Sequence, residues 1–363
     1  MTAIEWTDAT WNPVRGCSHV SEGCRHCYAA TMAARIVRMG RGKSTPYDGL
    51  VRVVGGEARW TGAVSFDAEK LAEPLKRRKP TRYFVNSMSD LFHDGFSDEQ
   101  IAAVFGVMAA TPQHTFQILT KRPRMMREWF EWIAREAQEC NGGIGMTPAA
   151  RCFVEAQRRE PQPDHMDQTE PPRPKRKRGT KLTTRHGPVD RSMSASWPLP
   201  NVWLGVSVED QDAADKRIPD LLATPAALRF VSAEPLLGPL DVAKYMWPVH
   251  WSWDSRYATP QEALAAGARA EKRRQALVSA HAAFLDWVIA GCESGRGARP
   301  CEVDWLRSLA VQCKAAGVPF FLKQAMLGDG ITWSNGGTRK PGGIISLPYL
   351  DGVQWAQMPG GSP

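Results

Sequence analysis

The stretch GCSHVSEGCRHCYA, beginning at Gly16, sets three thiols close together: Cys17, six residues, Cys24, two residues, Cys27. A glycine precedes each of the first two cysteines, so a short loop can fold tightly enough for the sulfurs to converge on one small object. A closed zinc site wants four ligands, and close cysteine pairs usually face another pair, so zinc would need His19 or His26 as a fourth donor. A [4Fe-4S] cluster is held by thiolates in a tight run. With three local cysteines one iron is left without a protein thiolate. Such an iron can chelate the amino and carboxylate groups of S-adenosylmethionine, which sets the sulfonium where electron transfer cleaves a carbon–sulfur bond. The spacing predicts the cluster, with zinc as the alternative.

The chain has eight cysteines. In a reducing compartment they read as metal ligands or reactive thiols before a disulfide framework. Cys140 and Cys152 lie in or beside a loose, polar segment, Cys301 has no cysteine neighbour, and Cys313 falls on a helix where a thiol packs. Cys292 follows a strand and reads as a small buried residue, a hydrogen-atom donor or a fourth ligand.

The elements that must position such a site begin at residue 82. Short β-rich runs alternate from there with amphipathic segments, the rhythm of a parallel sheet. The runs are 82–86, 115–119, 202–206, 229–231, 287–290 and 319–322, and two more, at 6–11 and 60–66, would bring the count to seven or eight. Helices are expected at 97–110, 123–138, 211–223 and 302–316, with Ser97 and Gln100 as a capping box. Polar residues follow each run: Ser87 to Asp90, Thr120 to Arg122, Ser207 to Asp210, Ser232 to Glu234, Glu293, and Lys323 with Gln324. In a barrel of parallel strands the carboxyl ends share one face, and that face carries the site. Lys121, Ser207, Glu209 and Glu234 are therefore candidate cofactor-binding residues.

Residues 141–200 are rich in Pro, Arg, Lys, Gln and Ser and read as a flexible basic insertion; 247–281 reads as a second insertion, and 328–363 as a surface wrap. The barrel would comprise 1–140 and 201–327. A net charge of +8 favours a polyanionic partner such as nucleic acid, although much of it sits in the run PPRPKRKR at 171–178. No apolar run approaches the ~20 residues that span a bilayer, and the first eleven lack a basic start followed by an apolar stretch. A cytoplasmic protein with no membrane partner is expected.

The chain resembles the phage-encoded three-cysteine-motif proteins, a family of unknown function, through TWNPVRGCSHVSEGCRHCYA, FVNSMSDLFH, FQILTKRP, WLGVSVED, FVSAEPLLGPLD, AGCESG with RPCEVDW, FFLKQ and LDGVQWAQMP. That family in turn is similar to radical S-adenosylmethionine enzymes such as spore photoproduct lyase, whose barrels carry three cysteines after the first strand, spaced by three and then two residues. The resemblance implies an α/β fold, a partial or complete (β/α) TIM-type barrel of that kind with two insertions. It implies a cluster on Cys17, Cys24 and Cys27, His26 near the adenine, and Ser89 and Asp90 near the methionine amino group. It implies a radical S-adenosylmethionine enzyme acting on nucleic acid or a nucleotide-derived substrate, alongside a separate partner protein. The competing class is a non-catalytic, metal-stabilised nucleic-acid-binding phage protein.

Overall fold

The computed structural model describes residues 4–139, 152, 197–246, 283–295, 297–334, 336–340 and 342–360. The second expected insertion, the basic run at 171–178 and Cys140 lie outside the described residues, as does the first insertion apart from Cys152 and 197–200. Cys152 is fully buried in the main core.

Seven strands run parallel and lie side by side in chain order: β1 (Ala9–Trp11), β2 (Arg82–Val85), β3 (Thr115–Thr120), β4 (Val202–Ser207), β5 (Leu228–Ala233), β6 (Trp287–Gly291) and β7 (Phe320–Met326). The chain then adds β8 (Arg339–Lys340) and β9 (Ile344–Ser346) antiparallel, giving the order β1-β2-β3-β4-β5-β6-β7-β9-β8. Parallel strands stacked in chain order, with crossovers of one hand, set their helices on one face of the sheet.

Alternation along the strands separates two faces. Tyr83, Val85, Phe116, Ile118, Leu204, Val206, Val231, Val288 and Leu322 point to the helix side and join the main core. Phe84, Phe230, Trp287, Ile289 and Phe321 point the other way and pack on Trp6. The Trp6 ring lies 4.7 Å from Phe84 on β2, 6.3 Å from Phe230 on β5 and 6.1 Å from Trp287 on β6. One side chain can touch such distant strands only because the sheet curls around it.

The curl does not close. β1 and β8 are the edges, so the protein is a mixed α/β fold on a mostly parallel open sheet, and among the described residues the complete barrel of the expected forms is not present. The run at 60–66 supplies no strand to the sheet. Glu57–Trp60 instead pairs antiparallel with Val51–Val54, and Ser65–Phe66 with Val14–Arg15, so neither bridges the two edges.

The helices lie where periodicity sets them: Asp98–Ala110, Pro123–Glu139, Gln211–Ala223 and Val303–Ala316. Ser97 closes the capping box with Gln100, and Gly317 ends the last helix in the left-handed conformation at φ 65°. A further helix, Tyr28–Met39, starts at Cys27 and buries Ala29, Ala30 and Ala33. Among the described residues no helix is long and apolar enough to cross a membrane.

Candidate functional site at the carboxyl ends of the strands

The cysteine loop begins where Gly16 forms a parallel bridge to Ser89. Gly16 has φ +88°, and a Cβ there would meet the Ala63 carbonyl oxygen at 2.3 Å, so only glycine makes this turn. The Ser89 hydroxyl donates to the Val14 carbonyl at 2.8 Å, which commits it to the root of the loop. Cys24 ends a single 3-10 turn, Glu22–Cys24, and Cys27 precedes the first turn of Tyr28–Met39.

From that root the loop crosses the sheet, and successive strand ends hold it. Arg122, after β3, donates from Nη2 to the Ser18 hydroxyl at 2.6 Å and from Nη1 to Asp90 Oδ2 at 3.2 Å. The same Nη1 lies 3.8 Å from Cys17 Sγ. Asp90, after β2, also accepts from Thr120 Oγ1 at 2.8 Å and from the amides of Lys121 and Phe92 at 3.1 Å each. His93 Nε2 stands 3.0 Å from the Ser18 hydroxyl, while its Nδ1 lies 3.0 Å from both the Gly95 amide and Asp94 Oδ1.

Further along, Glu209 lies beneath Gly23. A Cβ on that glycine would sit 3.1 Å from the Glu209 carboxylate carbon, so the loop packs backbone against carboxylate. Arg217 holds Glu209 two-pronged, at 2.8 Å and 3.2 Å. After β6, Glu293 takes His26 Nδ1 at 2.9 Å and the Arg299 guanidinium at 2.5 Å and 3.0 Å. Arg299 also reaches the Glu22 carbonyl at 3.0 Å.

These contacts set the charge states. Burial pushes Glu293 upward, but Arg299 and His26 outweigh it and hold the carboxyl at about 2. Burial likewise works upward on Glu209, and Lys121 with the hydrogen bonds from Arg217 brings it below the ordinary carboxylate value. Burial, with Asp90 adding and Arg122 opposing, pushes the Cys17 thiol up to about 12. Burial and Arg122 keep His93 below the usual imidazole value.

Beneath the loop, the concave face turns polar. Lys121 Nζ donates to Ser207 Oγ at 2.5 Å, and Ser207 Oγ lies 3.3 Å from the Glu234 carbonyl. Ser232 Oγ donates to Glu234 Oε2 at 3.1 Å, while Lys323 Nζ stands 3.0 Å from Oε1 as an ion pair without hydrogen-bond alignment. Both amide atoms of Asn86, together with Gln117 Oε1 and Trp6 Nε1, are buried there without a protein partner.

A family model described as a protein of unknown function (DUF5131) matches residues 1–359. The chain belongs to the DUF5131 family. It matches no curated protein and no solved structure at a significant level.

In this DUF5131 chain the strand-end candidates Asp90, Lys121, Ser207, Glu209 and Glu234 do gather on one face, with His26 and Ser89 tying the loop to it. Sequence reasoning gave no role to Arg122, His93, Arg217 or Arg299, the groups that neutralise those carboxylates or fix the loop. Arg122 and Arg299 stand inside the TKRP and RPCEVDW stretches, where the signal was available. Arg217 stands inside a helix, eight residues from Glu209, and only the fold reveals the pair. Among the described residues no group of three or more His, Cys, Asp and Glu side chains stands close enough to share a metal ion. By donor chemistry the loop still fits a thiolate-held group. It offers three cysteines, and the Arg122 guanidinium faces the first to offset thiolate charge. Cys292 is buried, and burial and then Glu234 push its thiol up to about 12.

Proposed function

We propose that the protein is a [4Fe-4S]-binding enzyme of the radical S-adenosylmethionine type that acts on nucleic acid or a nucleotide-derived substrate. The observation that carries this reading is the seating of the three-cysteine loop over the carboxyl ends of the strands, held in turn by Asp90 with Arg122, by Glu209 and by Glu293. Cys17, Cys24 and Cys27 would hold the cluster, and the sheet would form a partial barrel beneath it. When bound, the cluster supplies the electron that cleaves the sulfonium of S-adenosylmethionine.

The chain's own groups divide into two sets. Asp90, Ser89, Glu209 and His26 hold the loop and its neighbours, so they act on the cofactor by positioning. Lys121, Ser207, Glu234 and Lys323 line the polar layer beneath the loop and are the side chains best disposed to contact the cofactor's amino, carboxylate and ribose groups. The buried amide of Asn86 and the Gln117 carbonyl add neutral hydrogen-bonding capacity on the same face.

A second reading, a non-catalytic metal-stabilised nucleic-acid-binding protein, has one observation on its side. Asp90 and Glu209 are already saturated by Arg122 and Arg217, as in a structural ion-pair network. Anaerobic reconstitution with iron and sulfide, followed by dithionite and S-adenosylmethionine, separates the two. The enzyme reading expects 5′-deoxyadenosine and methionine. A loaded protein that releases neither supports the binding module.

A further inference from the structure

The helix Tyr28–Met39 turns an unusual stripe to solvent. Its buried side consists of Ala29, Ala33, Ile36 and Val37 packed with Tyr47, Leu50 and Trp60. Its outer side carries Tyr28, Met32, Arg35 and Met39, which helical spacing places on one line. Tyr28 stays 55% exposed although its hydroxyl donates to the Ser87 carbonyl at 2.5 Å. The hydroxyl is tethered and the rest of the side chain remains accessible, so the ring is held in one place at little further entropic cost.

Exposed cations continue from that ring along the helix and past its end. Arg25, Arg35, Arg38, Arg41, Lys43 and Arg52 are all exposed, on the cysteine loop, on the helix, just after it, or on the adjoining hairpin. The acids nearby are fewer: Glu22 lies 3.7 Å from Arg299, Asp48 accepts from Thr45, and Glu57 pairs with Arg59. Tyr, Met and Arg also suit a protein interface, but seven cations against three acids between Glu22 and Arg59 make this stretch strongly cationic, beside an aromatic ring held at the helix start. It is the combination that binds single strands, where cations follow the phosphates and an unpaired base stacks on a ring.

We infer that this face binds a single-stranded nucleic acid, with a base on Tyr28 and phosphates along Arg35, Arg38 and Arg52. The inference deepens the reading above by naming a substrate class and its entry beside Cys27, and it extends the site outward from the loop. DNA and RNA share this chemistry, so both are used as probes.

Fluorescence anisotropy on the full chain, with labelled oligo-dT and oligo-U of about 15 nucleotides, tests it. Tyr28→Ala should weaken binding about tenfold or more. Arg35→Gln with Arg38→Gln should weaken it and flatten the salt dependence by roughly 0.7 per lost contact. The arginine pair is exposed, so that variant remains informative should Tyr28→Ala fold poorly. A parent chain that binds neither probe, a Tyr28→Ala chain that binds as well as the parent, or equal affinity for a duplex of the same length would overturn the inference. Binding attributable only to the basic run at 171–178 would do the same, and would show as loss on deleting 162–186 with no effect of the Tyr28 and arginine changes. Cluster content is read separately by iron analysis. Binding that persists in iron-free protein and remains sensitive to Tyr28→Ala leaves this surface standing even where the iron–sulfur reading fails.

Discussion

Phe230 and Phe321 stand on the concave face of β5 and β7, and two residues further along the same strands come Ser232 and Lys323. Period-two alternation keeps each pair on one face. The first layer is aromatic and closed around Trp6, whereas the second is polar and charged, with Ser232 donating to Glu234 and Lys323 paired with it. The difference shows that strand chemistry here changes with depth: the lower layer stabilises the curl, and the upper layer sets polar groups at the strand ends.

The comparison breaks most readily from below. Trp287 is fully buried among Trp6, Trp203, Phe230 and Phe321, and its indole N–H donates to the Gln357 carbonyl at 2.9 Å. Trp287→Ala should cost about 3–5 kcal/mol in urea unfolding, from lost burial and the cavity left behind. A loss under ~1 kcal/mol would mean that the layer collapses freely and is not the frame of the sheet.

Glu209 tests the boundary between framework and site. Its carboxylate is 2% exposed and meets an Arg217 side chain 9% exposed, so Glu209→Ala strands a buried cation and should cost about 3 kcal/mol. Adding Arg217→Met should restore most of that loss, because an apolar pair of similar volume replaces the ion pair at little net cost. Single and double variants melting alike would remove Glu209 from the framework.

A smaller effect is set by pH. Glu293 is held at about 2, below an ordinary glutamate near 4.5, so its contribution is present above pH 4.5 and is lost as pH falls toward 2. The melting temperatures of the parent and Glu293→Gln should differ at pH 6 and converge over that acid window. A constant gap would contradict the Arg299 and His26 pairing.

The polar layer should matter least to stability and most to chemistry. Glu234 and Lys323 side chains are 13% and 22% exposed and Glu234 Oε1 is buried, so Lys323→Met should cost about 1–3 kcal/mol. Cleavage of S-adenosylmethionine should nevertheless fall roughly 10²-fold, the cost of misplacing a bound reactant. Full activity in that variant would move the cofactor contacts elsewhere on the face.

Much of this arrangement was legible in the sequence because periodicity and end chemistry are local. The runs at 115–119 and 202–206 needed only one more residue each, Thr120 and Ser207, to become β3 and β4, and Ser97 with Gln100 announced its helix. Asp90, Glu209 and Glu234 were found because polar residues end each strand. Their partners were harder to see, since Arg217 reaches Glu209 from inside a helix and Glu293 meets His26 across 267 residues of chain. The helix Tyr28–Met39 was missed although Ala29, Ala33, Ile36 and Val37 share one face at helical spacing. Closure of the sheet depends on whether 60–66 pairs inward or outward, and alternation alone does not decide a pairing partner.

The central claim is that the three cysteines hold a cluster, and metal content tests it most directly. Protein purified without oxygen should be brown and carry about four irons and as many sulfides per chain. Replacing Cys17, Cys24 or Cys27 with Ala should bleach it, while Cys301→Ala should leave the iron unchanged. One equivalent of zinc with no iron after anaerobic preparation, or full iron retention in all three cysteine variants, would contradict the account.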